Sequence, residues 1–428
     1  MERSIQTFIH QLEEAALVTY RTDGMPRRGF LAGAASAAAL GVLGLGTAGC
    51  GGSGGGGTKA ARIGWVEPKT GRLAAAYKPI YVGARLALED IEAAGGLLGE
   101  AVRVTEHDDK GSPAGQPAVA QRLIRDEPAF VVGPTGSSQV LASVTALARA
   151  KVIQSAWGGA ELLGDGDRFP YHYQLVYNTA QQARVAARFL REVRGLRKIG
   201  IIVENSEFGT SIRDAVVATL RNDYSTEPVA VEVFEVDASD MTPFVRNLER
   251  AGVDGLGLFT GQPQATILIL RAMAASGFQP VIVSHDLNYI DALGEFPRPL
   301  LDGFFGTTYR GLTYSGREKP SAEVRELVER INAHPDTGGL GYSAVTSPYY
   351  DYLMLMAEVV EDTGSTDPAK LKAALDKVSG YAGIRAKVSF TAKQHSGIAD
   401  EDITIGTLMS AKEPESLGGV LRRRADGM

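Results

Sequence analysis

The chain has 428 residues, 44% apolar and 22% charged, an ordinary globular balance for two or three domains of usual size. Its net charge is −6 and it carries no long basic run, which argues against nucleic acid as a partner. The single cysteine, Cys50, excludes an internal disulfide and a cysteine-rich metal site.

Residues 26–50 read PRRGFLAGAASAAALGVLGLGTAGC. A positive start, an uncharged Ala/Gly/Leu stretch and a small-residue end follow one another in the order of a secretory signal. The run containing Arg27, Arg28, Phe30 and Leu31 resembles a twin-arginine signal, the route for folded proteins. Thr47-Ala48-Gly49-Cys50 resembles a bacterial lipobox, which makes Cys50 the lipid-bearing mature N-terminus; Thr47 stands where Leu is usual. The rival is a transmembrane helix, since residues 29–50 are long enough to span a bilayer. That stretch is weakly hydrophobic and lacks a charged stop-transfer flank, so the signal is favoured. Met25 directly precedes it, and both an upstream start assignment and a cytoplasmic leader fit residues 1–24. The expectation is a leader and signal over 1–49, then lipidated Cys50 and a Gly-rich tether through 60.

From residue 62 short apolar runs alternate with helical patterns. Strands are expected at 62–66, 102–106, 130–133 and 152–155, with helices at 78–94, 118–126 and 139–150 between them. In the first helix Ile80, Ala84, Ala87, Leu88 and Ile91 share one face, and Gly95-Gly96 stop it. After residues 171–177 the pattern restarts. Helices at 180–193, 210–222, 243–251 and 265–275 alternate with strands at 198–203, 230–236, 255–259 and 281–284. Helices at 322–333, 345–362 and 368–377 and strands at 387–390 and 403–409 complete the chain. Two successive βαβα units of similar size imply two parallel sheets, each covered by helices. Ligands then bind at the facing strand ends.

Catalytic signatures are missing. There is no G-x-x-x-x-G-K-[ST] phosphate loop, no dinucleotide fingerprint after the first strand of either unit and no G-x-S-x-G elbow between a strand and a helix. His10, His107, His172, His285, His334 and His395 are scattered and form no metal motif. A binding protein explains this more simply than an enzyme does. The loop holding Thr135, Ser137 and Ser138 runs from a strand into a helix, where free N–H groups attract a carboxylate. The alternative is that one serine only caps its helix. Trp157, followed by Gly158 and Gly159, offers a flat wall with close backbone approach, or else a core tryptophan. Asp286, after a strand, suits an ammonium group, or else a solvated loop.

The run from Ile63 to Pro113, together with VVGPTGSS (131–138), VENSEFGTS (203–211), TGQPQAT (260–266), SHDLNY (284–289) and GSTDPAKLKAALDKVSGYAG (364–383), resembles the branched-chain amino-acid receptors of ABC transporters. These are periplasmic binding proteins of type 1, and the resemblance spans about Ile63 to Lys412. It implies an α/β fold of two doubly wound parallel-sheet lobes joined by a three-stranded hinge. Lobe 1 would take 61–178 plus 309–383, and lobe 2 would take 179–308 plus 384–428. The carboxylate-holding serine falls on Ser137, with Ser138 beside it. The next hydroxyl-bearing loop falls on Ala156, Trp157 and Gly158, with Gly158 in place of the usual Ser or Thr. The tyrosine of N-S-x-Y-G becomes Phe208, the first-loop aromatic is displaced to Tyr77, and the second-lobe aromatic becomes Gln262. The acid that meets the amino group falls on Asp286, and the C-terminal aromatic contact on Tyr342.

The resemblance implies an exported membrane lipoprotein that passes a small amino-acid-like or carboxylate ligand to an ABC permease, with no cofactor. An aromatic ligand stacked on Trp157 fits the altered pocket. A ligand-sensing receptor for a membrane signalling partner is the alternative.

Overall fold

The computed structural model describes residues 61–285, 291–337 and 343–428. The expected leader, signal, Cys50 and tether, and both Asp286 and Tyr342, lie outside the described residues.

The first sheet forms from short runs that are buried almost throughout in β1, β3 and β4, while the edge strand β2 is largely exposed. Its strands are β1 (Arg62–Glu67), β2 (Arg103–Asp108), β3 (Phe130–Thr135) and β4 (Ile153–Trp157), in the parallel order β2-β1-β3-β4. The intervening helices are α1 (Val82–Ala93), α2 (Gln116–Asp126) and α3 (Ser137–Arg149). Gly64 lies under Leu123 of α2, where a Cβ would come within 2.7 Å of that side chain. On the other face α1 packs against the long C-terminal helix Ser343–Thr363. The β3–β4 register shifts between Val132 and Thr135, so three steps on β3 oppose two on β4. This bulge turns the end of β3 toward the crevice.

The second sheet has six strands. They are β5 (Ile199–Glu204), β6 (Ala230–Phe234), β7 (Gly255–Phe259), β8 (Val281–His285), β9 (Phe304–Tyr309) and β10 (Ile403–Thr407). The order is β10-β9-β8-β7-β5-β6, parallel except that β10 runs antiparallel to β9. Its helices are α4 (Thr179–Arg188), α5 (Glu207–Tyr224), α6 (Thr242–Arg250) and α7 (Pro263–Ser276). Helix α4 starts with a capping box, in which the Asn178 side chain accepts from Gln181 N and the Gln181 side chain accepts from Asn178 N. Ser206 caps α5 by accepting from Gly209 N at 3.1 Å.

Helices α8 (Ala322–Ala333), α9 (Ser343–Thr363) and α10 (Pro368–Leu375) return to the first sheet, where α9 packs on α1 and β4. The chain therefore crosses between the sheets three times, after β4, after β9 and before β10. The crossings meet at Arg385, which donates to Leu175 O and holds its guanidinium 4.8 Å from the Tyr309 ring centre. Tyr177 N–H donates to Tyr309 Oη at 3.3 Å.

The fold class agrees with the sequence reading: α/β, two lobes, a three-segment hinge. Three details differ. The sheets have four and six strands rather than equal sizes. Strand β9 was not expected, because Gly306 and a row of threonines break its apolar run and only pairing with β8 and β10 reveals it. The expected strand at 387–390 shrinks to Lys387–Val388, which pairs with Tyr381–Ala382 and, through one bridge, with Ile398.

Candidate functional site

The C-terminal edges of the two sheets face each other across a cavity of about 230 Å³. In open parallel sheets this edge is where loops leave the strands and converge on ligands. From the first lobe, β3 delivers Thr135 and Gly136, α3 delivers Ser137 and Ser138, and β4 delivers Trp157. From the second, Glu204 and His285 end β5 and β8, and Phe208 and Gly261 follow β5 and β7.

Neither serine caps α3. The N-cap is Gly136, at φ 105°, with no side-chain cap. Only glycine takes this conformation without strain, and a Cβ here would run into Gln139 Oε1. The first amides of a 13-residue helix are thus left to the cavity, together with the positive end of its dipole. A carboxylate is the group this arrangement receives best. The hydroxyls of the two serines have other tasks. Ser137 Oγ accepts from Ala160 N at 3.1 Å, and Ser138 Oγ accepts from Glu207 N of the other lobe at 3.2 Å.

Trp157 is fixed through its backbone. Its N–H donates to Tyr349 Oη at 2.9 Å, and its C=O accepts from Gly136 N at 2.7 Å. Tyr349 in turn donates to Pro134 O at 3.0 Å, so one buried tyrosine of α9 ties both strand-end loops together. The Trp157 indole N–H is buried and has no partner among the described residues. A ligand acceptor at this wall would satisfy it.

The lobes touch directly around the cavity. Tyr77 Oη donates to Gly261 O at 3.1 Å, and Arg72 donates to Gln262 Oε1. Glu161 N donates to Ser211 Oγ at 3.4 Å. This is a closed arrangement of the two lobes. Burial, and then the Glu204 charge, push the Tyr77 phenol well above its usual range, so it stays protonated and can donate. His285 is buried and pushed down to about 4, so it is neutral at pH 7. Its Nε2 lies 2.7 Å from Thr260 O, which makes Nε2 the protonated nitrogen.

Of the residues the sequence singled out, Tyr77, Ser137, Ser138, Trp157, Phe208 and Gln262 line one cavity. Two expected residues are not. Ala156 is 1% exposed and packs with Val140, Val144 and Leu163, because alternate positions of β4 face opposite ways. At Gly158 a Cβ would meet Leu163 at 2.9 Å and Val140 at 3.0 Å, so this glycine presses on the core; Gly159 lines the cavity instead. Sequence reasoning missed Glu204 and His285, although both sit where strand ends should have been searched. Arg72 lies in a loop without periodicity and gave no signal.

Comparison with known proteins fits this geometry. The family described as periplasmic binding protein matches residues 60–411. A Leu/Ile/Val-binding protein homolog 1 of Brucella suis is 23% identical over 333 residues, 76% of this chain and 85% of the relative. The crystal structure of a periplasmic binding protein type 1 from Bordetella pertussis superposes with a TM-score of 0.72 at 20% identity, covering 82% of this chain and 96% of that one. A solute-binding protein of an ABC transporter from Rhodopseudomonas palustris, in complex with 3,4-dihydroxybenzoic acid, gives 0.67 at 20% identity over 81% and 93%. Two hinged lobes closed on a strand-end cavity, matched over residues 60–411, place this protein in the periplasmic binding protein family.

Proposed function

We propose that this chain is an exported lipoprotein that captures a small amino-acid-like or carboxylate ligand between its lobes and delivers it to an ABC permease. Family membership implies an extracytoplasmic, solute-binding protein. The residue order of 26–50 supports the lipid on Cys50 and the twin-arginine route, and likeness to a solute-binding protein of an ABC transporter supports the permease. In this reading lobe 1 comprises 61–178 plus 309–383, and lobe 2 comprises 179–308 plus 384–428. The stretch through Gln394 and Ser396 bridges to Asp165 and Gln174 of lobe 1.

One observation carries the ligand class: an uncapped helix start opens into the cavity between the lobes, lined by Tyr77, Trp157 and Phe208. The amides of α3 hold the carboxylate, and the rings cover the rest of the ligand. Ser137, Gln262, Asp286 and Tyr342 complete the proposed contacts, while Ser138 serves mainly to hold the lobes together. The relatives include proteins named for aliphatic amino acids and one holding an aromatic acid.

A thermal-shift screen of amino acids, aromatic acids and sugars tests the class. Carboxylates should raise the melting temperature, and Trp157→Ala should remove most of that rise. A rise with sugars alone would refute the assignment. Mass spectrometry of the membrane fraction tests the anchor: a diacylglyceryl adduct on Cys50 is expected and should vanish in Cys50→Ser.

A further inference from the structure

The second crossing does not run free from Tyr309 to α8. After the short 3₁₀ turn Arg310–Leu312, Thr313 and Tyr314 form a strand that pairs in parallel with Arg422 and Arg423 of the C-terminal tail. The family match ends at residue 411, so this tail lies beyond it. The tail is rooted in lobe 2. Ala425 N donates to Ile405 O of β10 at 2.8 Å, and Ala425 and Met428 join the core that holds Ile199, Ile201 and Ile405. Its side chains grip the crossing. Arg424, 8% exposed, donates to Glu318 Oε2 at 2.6 Å and to Thr313 Oγ1 at 3.2 Å, while Tyr314 Oη donates to Glu413 Oε2 at 2.9 Å. Ser315 N donates to Glu318 O at 2.8 Å and closes a turn, and Ser321 then caps α8. Lys319 and Pro320 are what remains between this grip and the helix. Helix α8 belongs to the other lobe, because Arg330 donates to both carboxylate oxygens of Asp90 on α1 at 3.0 Å. The tail reaches this helix too: a Cβ on Gly418 would fall 2.5 Å from Asn332 Nδ2.

The geometry points to a strap. Residues 413–424 hold the second crossing against lobe 2, shorten its free part to Lys319 and Pro320, and so limit how far the lobes open. Hinges open through φ/ψ changes at a few residues of each crossing, and residues held in backbone pairs and ion pairs are withdrawn from that motion. The strap touches no cavity residue, so it acts on the population of open forms, alike for every ligand.

Lobe separation in the unliganded full chain tests this, read by double electron–electron resonance. Spin labels go on Gln121→Cys of α2 and Glu249→Cys of α6, both exposed, with Cys50→Ser removing the native thiol. Arg424→Met, which removes the bonds to Glu318 and Thr313, should add a population at longer distance. Glu318→Gln, on an exposed side chain, is the milder second variant and should shift the distribution the same way by less. Arg184→Met, which breaks an ion pair with Asp400 inside lobe 2, should leave it unchanged. Hydrogen exchange of β9 and β10 is followed alongside. Longer distances with the protection of those strands intact support the strap. Unchanged distances in both Arg424→Met and Glu318→Gln would overturn it, as would an equal shift in Arg184→Met. Longer distances with protection of β9 and β10 lost would overturn it too, since local unfolding of lobe 2 would then be the cause.

Discussion

Replacing Asp351 by Ala tests the hinge. Asp351, on α9, is 1% exposed, and Arg385, in the third crossing, is also 1% exposed. Their side chains form an ion pair inside the protein. Asp351 also accepts from Ile384 N at 2.7 Å, while Arg385 donates to Ser347 O at 3.3 Å and to Leu175 O. Burial pushes the Asp351 carboxyl up, and the Arg385 charge opposes that push. With Asp351 gone, a guanidinium with little access to water would face carbonyls and the Tyr309 ring alone. Breaking one side of such a pair costs roughly 3–5 kcal/mol, or a fall in Tm of about 6–20 °C for a folding unit of ~150–250 residues. Far-UV circular dichroism melts at pH 7 measure it. Asp351→Leu combined with Arg385→Met should recover most of the loss, because the charges leave together and the volume is kept. A fall of less than about 2 °C in Asp351→Ala would show that water reaches Arg385 and that the hinge does not depend on this pair.

Acid should destabilise the protein through its buried histidines. His172 is pushed down to about 3 and His285 to about 4, both chiefly by burial, so each favours folding when neutral. That stability is complete above the unfolded value near 6.5 and is lost as pH falls from there toward the folded values. At pH 4.5 His172 accounts for about 2–3 kcal/mol of the loss, so urea titrations should show His172→Phe gaining on the native chain by that amount between pH 7 and 4.5. A constant gap would rule this out. Gly83→Ala should cost at least ~1–3 kcal/mol, because the new methyl would run into Thr346 O where α1 and α9 touch; an unchanged urea midpoint would contradict the packing. Tyr349→Phe removes the donor to Pro134 O and the acceptor for Trp157 N–H, at a cost of ~1–3 kcal/mol. Its fluorescence should report a more mobile Trp157, and ligand affinity should drop with it.

Much of the site was legible because strand ends are. Ser137, Ser138, Trp157, Phe208 and Gln262 all follow apolar runs that read as strands, and parallel sheets send such loops to one edge. Roles were less legible than positions. Ser138 looked like a ligand contact but bonds the opposite lobe, a partner 69 residues away. Ala156 and Trp157 are neighbours in sequence and face opposite sides of β4, which only the sheet's pleat assigns.

By itself the sequence settled the α/β class, the alternation of elements and the repetition of the pattern, because apolar period and Gly/Pro punctuation act over a few residues. Tertiary structure alone decided what depends on distant partners. Strand β9 exists because β8 and β10 flank it, and Arg385 is a hinge residue because Leu175, Tyr309 and Asp351 converge on it. Glu204 became a cavity wall when closure set Tyr77 against Gly261. Such contacts lie across tens to hundreds of residues, where no local spacing carries their signal.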